Sequence, residues 1–163
     1  MIRLPVLVAA CALIAGAAAA QPSVRTDEFV RKVAISDMME IQSSKLVLPN
    51  ADADTKPFAE KMIKDHTQTS NELKSLVQSG KVKATLPTAL DPEHEKELAD
   101  LKKLSGKRLD AAYDQMQVRA HKEAVDLFTK YSQTGDNSEL KQWAAKTLPT
   151  LKEHLSMAEK LQY

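Results

Sequence analysis

Apolar residues recur every three to four positions along most of this chain, and the breaks in that rhythm fall at prolines and glycines. On a helical wheel of about 100° per residue, a first helix capped by Thr26 or Asp27 and running to about Leu48 aligns Phe29, Val30, Val33, Ile41 and Val47. Pro49-Asn50-Ala51-Asp52 interrupts it. A second helix, capped by Asp54 with Pro57 in its first turn, runs to about Ser79 and stops at Gly80; its apolar face is Phe58, Met62, Leu73, Leu76 and Val77. Lys81 to Leu90 forms a connection. Asp91-Pro92-Glu93 opens a short helix over about 91–104, with the proline at the favoured first position. A third long helix covers about 107–132, stopped by Gly135, and buries Leu109, Tyr113, Met116, Ala120, Ala124, Leu127 and Tyr131. The fourth, about 138–162, buries Leu140, Trp143, Ala144, Leu151, Leu155, Ala158 and Leu161, and Pro149 inside it predicts a kink near Leu148. Four amphipathic helices, each with one wide apolar face, make an all-α four-helix bundle.

The first twenty residues break the pattern. Met1-Ile2-Arg3 is a short basic start, Leu4 to Ala15 is continuously apolar, and Ala17-Ala18-Ala19-Ala20 precedes Gln21-Pro22. This is the layout of a secretory signal peptide, and it predicts export, with the periplasm as destination. The run is too short and alanine-rich to anchor the chain, since a span needs about 20 apolar residues. Val8-Ala9-Ala10-Cys11 offers a competing reading, a lipid-modified cysteine, but the apolar run continues for nine residues beyond it. Cleavage after Ala20 leaves a flexible lead-in, 21–26, and a bundle domain, 27–162.

Composition then removes several classes. Cys11 is the single cysteine and leaves with the leader, so thiol catalysis, Cys-x-x-Cys-His haem attachment and zinc–thiolate sites are excluded. The leader carries Arg3 and no acid, so the 23 Lys and Arg fall to 22, matching the 22 Asp and Glu. A mature chain of zero net charge argues against nucleic acid as a partner.

The useful anomaly is the polar residues inside the apolar arcs. Glu40, with Asp37 and Ser44 beside it, faces inward on the first helix, and His66 and Thr69 on the second. Gln117 lies inside the third, with His121 at the arc's edge, and Thr147 and His154 face inward on the fourth. At 1.5 Å per residue, Glu40 lies about 12 Å from the end of its helix, and His66 about 15 Å from the adjoining start of the next. The piece at 91–104 spans roughly 20 Å, enough for the chain to cross over before the third long helix. His121 then sits about 21 Å and His154 about 12 Å from that same end, and the four groups share a central layer.

Several segments carry a resemblance. Phe29-Val30-Arg31-Lys32-Val33-Ala34, Glu40, Phe58-Ala59-Glu60-Lys61-Met62 with Asp65-His66, His121-Lys122-Glu123-Ala124, and Ala145-Lys146-Thr147-Leu148-Pro149-Thr150-Leu151-Lys152-Glu153-His154-Leu155 resemble a bacterial exported family. That family is a domain of unknown function with a ferritin-like four-helix fold, its members often labelled outer-membrane proteins. The likeness covers about residues 27–161. It implies a fold and a compartment, with peripheral envelope association, and no established activity.

The inward residues admit two readings. In the structural one, each histidine pairs separately with a carboxylate, hydroxyl or carbonyl, Glu40 satisfies one of them, and Met62, Met116, Met38 and Met157 fill the core. The protein is then a structural or stress-related envelope module. In the chemical one, Glu40, His66, His121 and His154 are ligands to one transition metal, zinc, copper or iron, and their donor atoms converge within about 5 Å of a common point. Met62, one turn before His66, favours Cu(I). The di-iron oxidases use Glu-x-x-His on two helices, but Ile63, Val118 and Leu151 stand three before the histidines here, which argues against a ferritin-like redox enzyme and leaves it a lesser alternative. Haem between His154 and Met38 or Met39 is a remote third reading, because both methionines fall outside the first helix's inner arc. His94, in the charged run Glu93 to Glu97, reads as a solvated side chain. No catalytic residue is assigned, and the expected role is binding rather than catalysis.

Overall fold

The structure, a computed structural model, describes residues 24–161; the leader, its cleavage point and Cys11 lie outside the described residues. Five helices follow in order: α1 (Thr26–Val47), α2 (Thr55–Gln78), the short α3 (Pro92–Leu101), α4 (Lys107–Thr134) and α5 (Ser138–Leu161). A single 3-10 turn, Leu48–Asn50, follows α1. The all-helical bundle expected from the apolar rhythm is the observed fold, with boundaries within a few residues.

The caps differ from expectation. Thr26 is already helical, and its backbone N–H donates to Asp136 Oδ1 at 2.9 Å, in the turn between α4 and α5. Asp54 makes no side-chain cap for α2. Asp52 does so instead, its Oδ1 accepting from the N–H groups of Asp54 at 3.1 Å and Thr55 at 2.8 Å. Asp91 caps α3 as its position predicts, accepting from the His94 N–H at 3.1 Å. Gly80 ends α2 at φ 76°, a backbone state that glycine alone adopts without cost.

Two contacts establish the chain path. Ser44, near the end of α1, shares a hydrogen bond of 2.7 Å with the hydroxyl of Tyr113, near the start of α4. Thr26, at the other end of α1, does the same with Tyr131 near the end of α4. α4 therefore starts at the end of the bundle where α1 finishes and α2 begins. Residues 79–106, with α3 inside them, carry the chain back along the bundle, as the crossover reading requires.

That crossover corrects the wheel for α1. Ile35 and Met39, outside the expected arc, are each 3% exposed, whereas Ile41 is only half-buried. α1 packs against α3 as well as α2 and α4, so it is covered on more than one side, and half of its 22 residues are buried. Pro149 stands in α5 with no break in the helix. It deprives the carbonyl of Ala145 of its donor, but both residues are exposed, so water can replace it.

The core is divided. One apolar cluster, at the end where α1 begins, holds Phe29 stacked on Tyr131 at 4.0 Å, with Phe128 and Trp143 beside it. The other, at the opposite end, holds Phe58, Met62, Tyr113 and Met116. Between them lie buried Asp37, Glu40, His66, Gln117, His121, Thr147 and His154.

Candidate metal centre

A polar layer across a bundle core is costly unless every donor and acceptor finds a partner. Ser44 and Thr147 find theirs, the latter donating to the carbonyl of Trp143 at 2.9 Å. Five buried side-chain atoms among the described residues do not: His66 Nε2, His121 Nε2, His154 Nδ1, Asp37 Oδ2 and Gln117 Oε1. All five belong to this layer.

His66 on α2, His121 on α4 and His154 on α5 pack with ring centroids 5.3–5.6 Å apart. His121, placed at the edge of its arc by the wheel, is only 1% exposed. In each ring one nitrogen is held. His66 Nδ1 lies 2.8 Å from Asp37 Oδ1, which also accepts from Thr69 Oγ1 at 3.0 Å. His121 Nδ1 lies 2.9 Å from the backbone oxygen of Gln117, one turn earlier. His154 Nε2 lies 2.9 Å from Asp65 Oδ2, itself paired with Lys61 Nζ at 2.9 Å. Carbonyls and carboxylates accept, so these ring nitrogens donate. The opposite nitrogen of each neutral ring then carries a lone pair.

Burial favours that neutral form at two of the rings. It pushes His154 down to about 4 against the pull of Asp65, and lowers His121 despite the charge of Glu40. At His66 burial acts the same way, but the bond to Asp37 and its charge outweigh it, and the pKa is raised. Burial also raises Asp37.

One ligand atom from each of the three histidines lies within 4.8 Å of the other two. Three such points fall within about 2.8 Å of a common centre, so inward shifts of under about 1 Å reach the roughly 2.0–2.1 Å of a metal–imidazole bond. Glu40 is buried too, but it is not brought into this group of three. Its Oε2 accepts from Gln117 Nε2 at 2.5 Å, and its charge acts on both His66 and His121. Asp65 and His94 gain places the wheel did not assign, and Asp37, expected on the inner face, gains a partner. Asp65 immediately precedes His66 and Asp37 stands one turn before Glu40, so their proximity was visible but not their partners. His94 is half-buried and bonded to Asp91, at 2.6 Å, rather than solvated. Met39 is buried in the cluster with Phe58, away from the layer.

The separate pairing of each histidine and the convergence of all three were posed as alternatives. The structure has both. In metal-binding imidazoles, likewise, an outer acceptor fixes the tautomer and orients the ligating nitrogen.

The family model described as "Domain of unknown function (DUF4142)" matches residues 12–161, and the chain belongs to that family. No curated protein matches it in sequence. Among solved structures, a DUF305 fragment from Deinococcus radiodurans is similar with a TM-score of 0.71 and 14% identity, covering 87% of this chain and 98% of that one. CopM in its Cu(II)-bound form is similar to the same degree, TM-score 0.71 and 14% identity, covering 86% and 97%. At that identity the likeness is one of fold.

Proposed function

We propose that this member of the DUF4142 family binds one transition-metal ion through His66, His121 and His154. The observation that carries this reading is that three buried histidines converge in the middle of the bundle, one ligand atom of each within 4.8 Å of the other two, and that each ring also has a buried nitrogen without a partner. The donor set fits: neutral imidazole suits copper, zinc and iron. Two buried carboxylates, Asp37 and Glu40, supply the negative charge to balance a divalent cation. Copper is the favoured ion. It binds nitrogen sites more tightly than zinc or iron(II), and a protein of similar fold is known in a Cu(II)-bound form.

Glu40 is read as an outer group that lends charge and fixes Gln117, not as a fourth ligand. The role is binding rather than oxidase catalysis, because Ile63, Val118 and buried Leu151 occupy the positions where a di-iron site needs carboxylates. We place this activity outside the cytoplasm, in the cell envelope, on the strength of residues 1–20. No helix among the described residues is long and apolar enough to cross a membrane.

Titration of the purified chain with Cu²⁺ and with Zn²⁺ tests the centre. The parent takes up one equivalent in competition with a chelator, and a His66→Ala, His154→Ala double variant takes up none. Equal uptake by both proteins overturns the reading.

A further inference from the structure

A cavity of about 520 Å³ lies between α1 and α4 beside the start of α3. Its inner wall includes Asp37 and His66, whose Oδ2 and Nε2 are both buried without partners. Asp91, His94 and the exposed Arg31 and Glu123 also line it. A water takes about 30 Å³ in the liquid, so this volume has room for a cation that still carries much of its hydration.

The chain has four histidines. Three form the buried layer and the fourth, His94, lines the cavity that reaches it. Its Nδ1 faces Asp91 Oδ1 at 2.6 Å, leaving Nε2 free on a half-buried ring. The pattern repeats His66–Asp37 and His154–Asp65: a carboxylate fixes one nitrogen and leaves the other available. Helix capping does not require this imidazole, because Asp91 already caps α3 through the His94 backbone N–H. Arg31 Nη1 stands 3.7 Å from Asp91 Oδ2, beyond hydrogen-bond length, and does not close that oxygen off.

The geometry points to a second, transient metal site: His94 with Asp91 in this cavity captures a divalent cation and passes it to His66. This inference rests on the reading of the three-histidine layer as a metal centre, and it makes the bound ion exchangeable cargo rather than a fixed structural element.

Rates distinguish the route from the centre. Loading with Cu²⁺ alone, and extraction by excess chelator, are followed by stopped flow in the parent, in His94→Ala, and in Ala124→Phe, which narrows the cavity without touching a ligand. His94→Gln substitutes if the alanine variant fails to fold. Both changes are expected to slow loading and extraction together, the first by about tenfold as a local capture site is lost and the second by narrowing the path, with Kd unchanged. Parental rates in both variants overturn the route while leaving the centre standing. A parent that takes up no copper, or a His66→Ala, His154→Ala variant that binds as the parent does, overturns the centre and the route with it.

Discussion

Asp65 and His154 are joined across α2 and α5 by a hydrogen bond of 2.9 Å that leaves His154 Nδ1 buried with nothing to bond. Asp65 is itself tied to Lys61, and Lys61 stands 3.6 Å from Glu153. The orientation of a buried ring is thus set from the bundle surface. Asp65→Ala releases the ring, and metal affinity is expected to fall by about 10- to 100-fold. Asp65→Asn, whose amide oxygen still accepts, recovers most of it. Chelator competition measures both.

His121 differs from the other two in its partner, the backbone carbonyl of Gln117 on its own helix. Replacing it strands no side chain, and it removes one buried nitrogen without a partner. His121→Leu is therefore expected to leave the metal-free bundle at least as stable as the parent, while weakening metal binding. Such an exchange of stability for function is usual where a site conflicts with packing. Urea denaturation with and without copper checks it; a large loss of stability in the metal-free variant contradicts it.

A ligand that binds only the folded chain stabilises it by about 2.7 kcal/mol at one hundred times Kd. Copper at that excess should raise the parent's unfolding midpoint accordingly and leave the His66→Ala, His154→Ala variant unmoved. Phe29 supplies the contrast. It is fully buried between Tyr131, Phe128 and Trp143, and Phe29→Ala should cost about 3–5 kcal/mol with or without metal.

Asp114 sets a pH dependence apart from the metal. It is buried on α4, with Thr55 Oγ1 at 3.4 Å and the charges of Asp52 and Asp110 nearby. Burial, with those charges, raises its pKa from 3.8 to about 6. The folded state then holds a proton that the unfolded state has released, so this group's contribution is complete below about pH 4 and is lost as pH rises through 6. Asp114→Asn should remove that decline and raise stability at neutral pH. Denaturation midpoints between pH 4 and 7 follow it.

Much of this was legible in the chain. Pro49, Gly80, Pro92 and Gly135 mark the ends of the helices, and counting 1.5 Å per residue places the three histidines at one height once the crossover is allowed. A wheel gives a face, however, and not what covers it. Ile35 and Met39 are buried because the returning chain lies on α1, which no local pattern records. Asp136 caps a helix that begins 110 residues before it. Glu40 shares the layer of the histidines, and its Oε2 accepts from Gln117, a residue whose inward position was visible and whose partner was not.

Anomalous diffraction from crystals of the copper-loaded protein, recorded at the copper edge, tests the central claim most directly. The account predicts one principal peak among His66, His121 and His154, bonded to His66 Nε2, His121 Nε2 and His154 Nδ1 at about 2 Å. Copper found only on surface carboxylates or at His94, with the three rings in their metal-free arrangement, would contradict it.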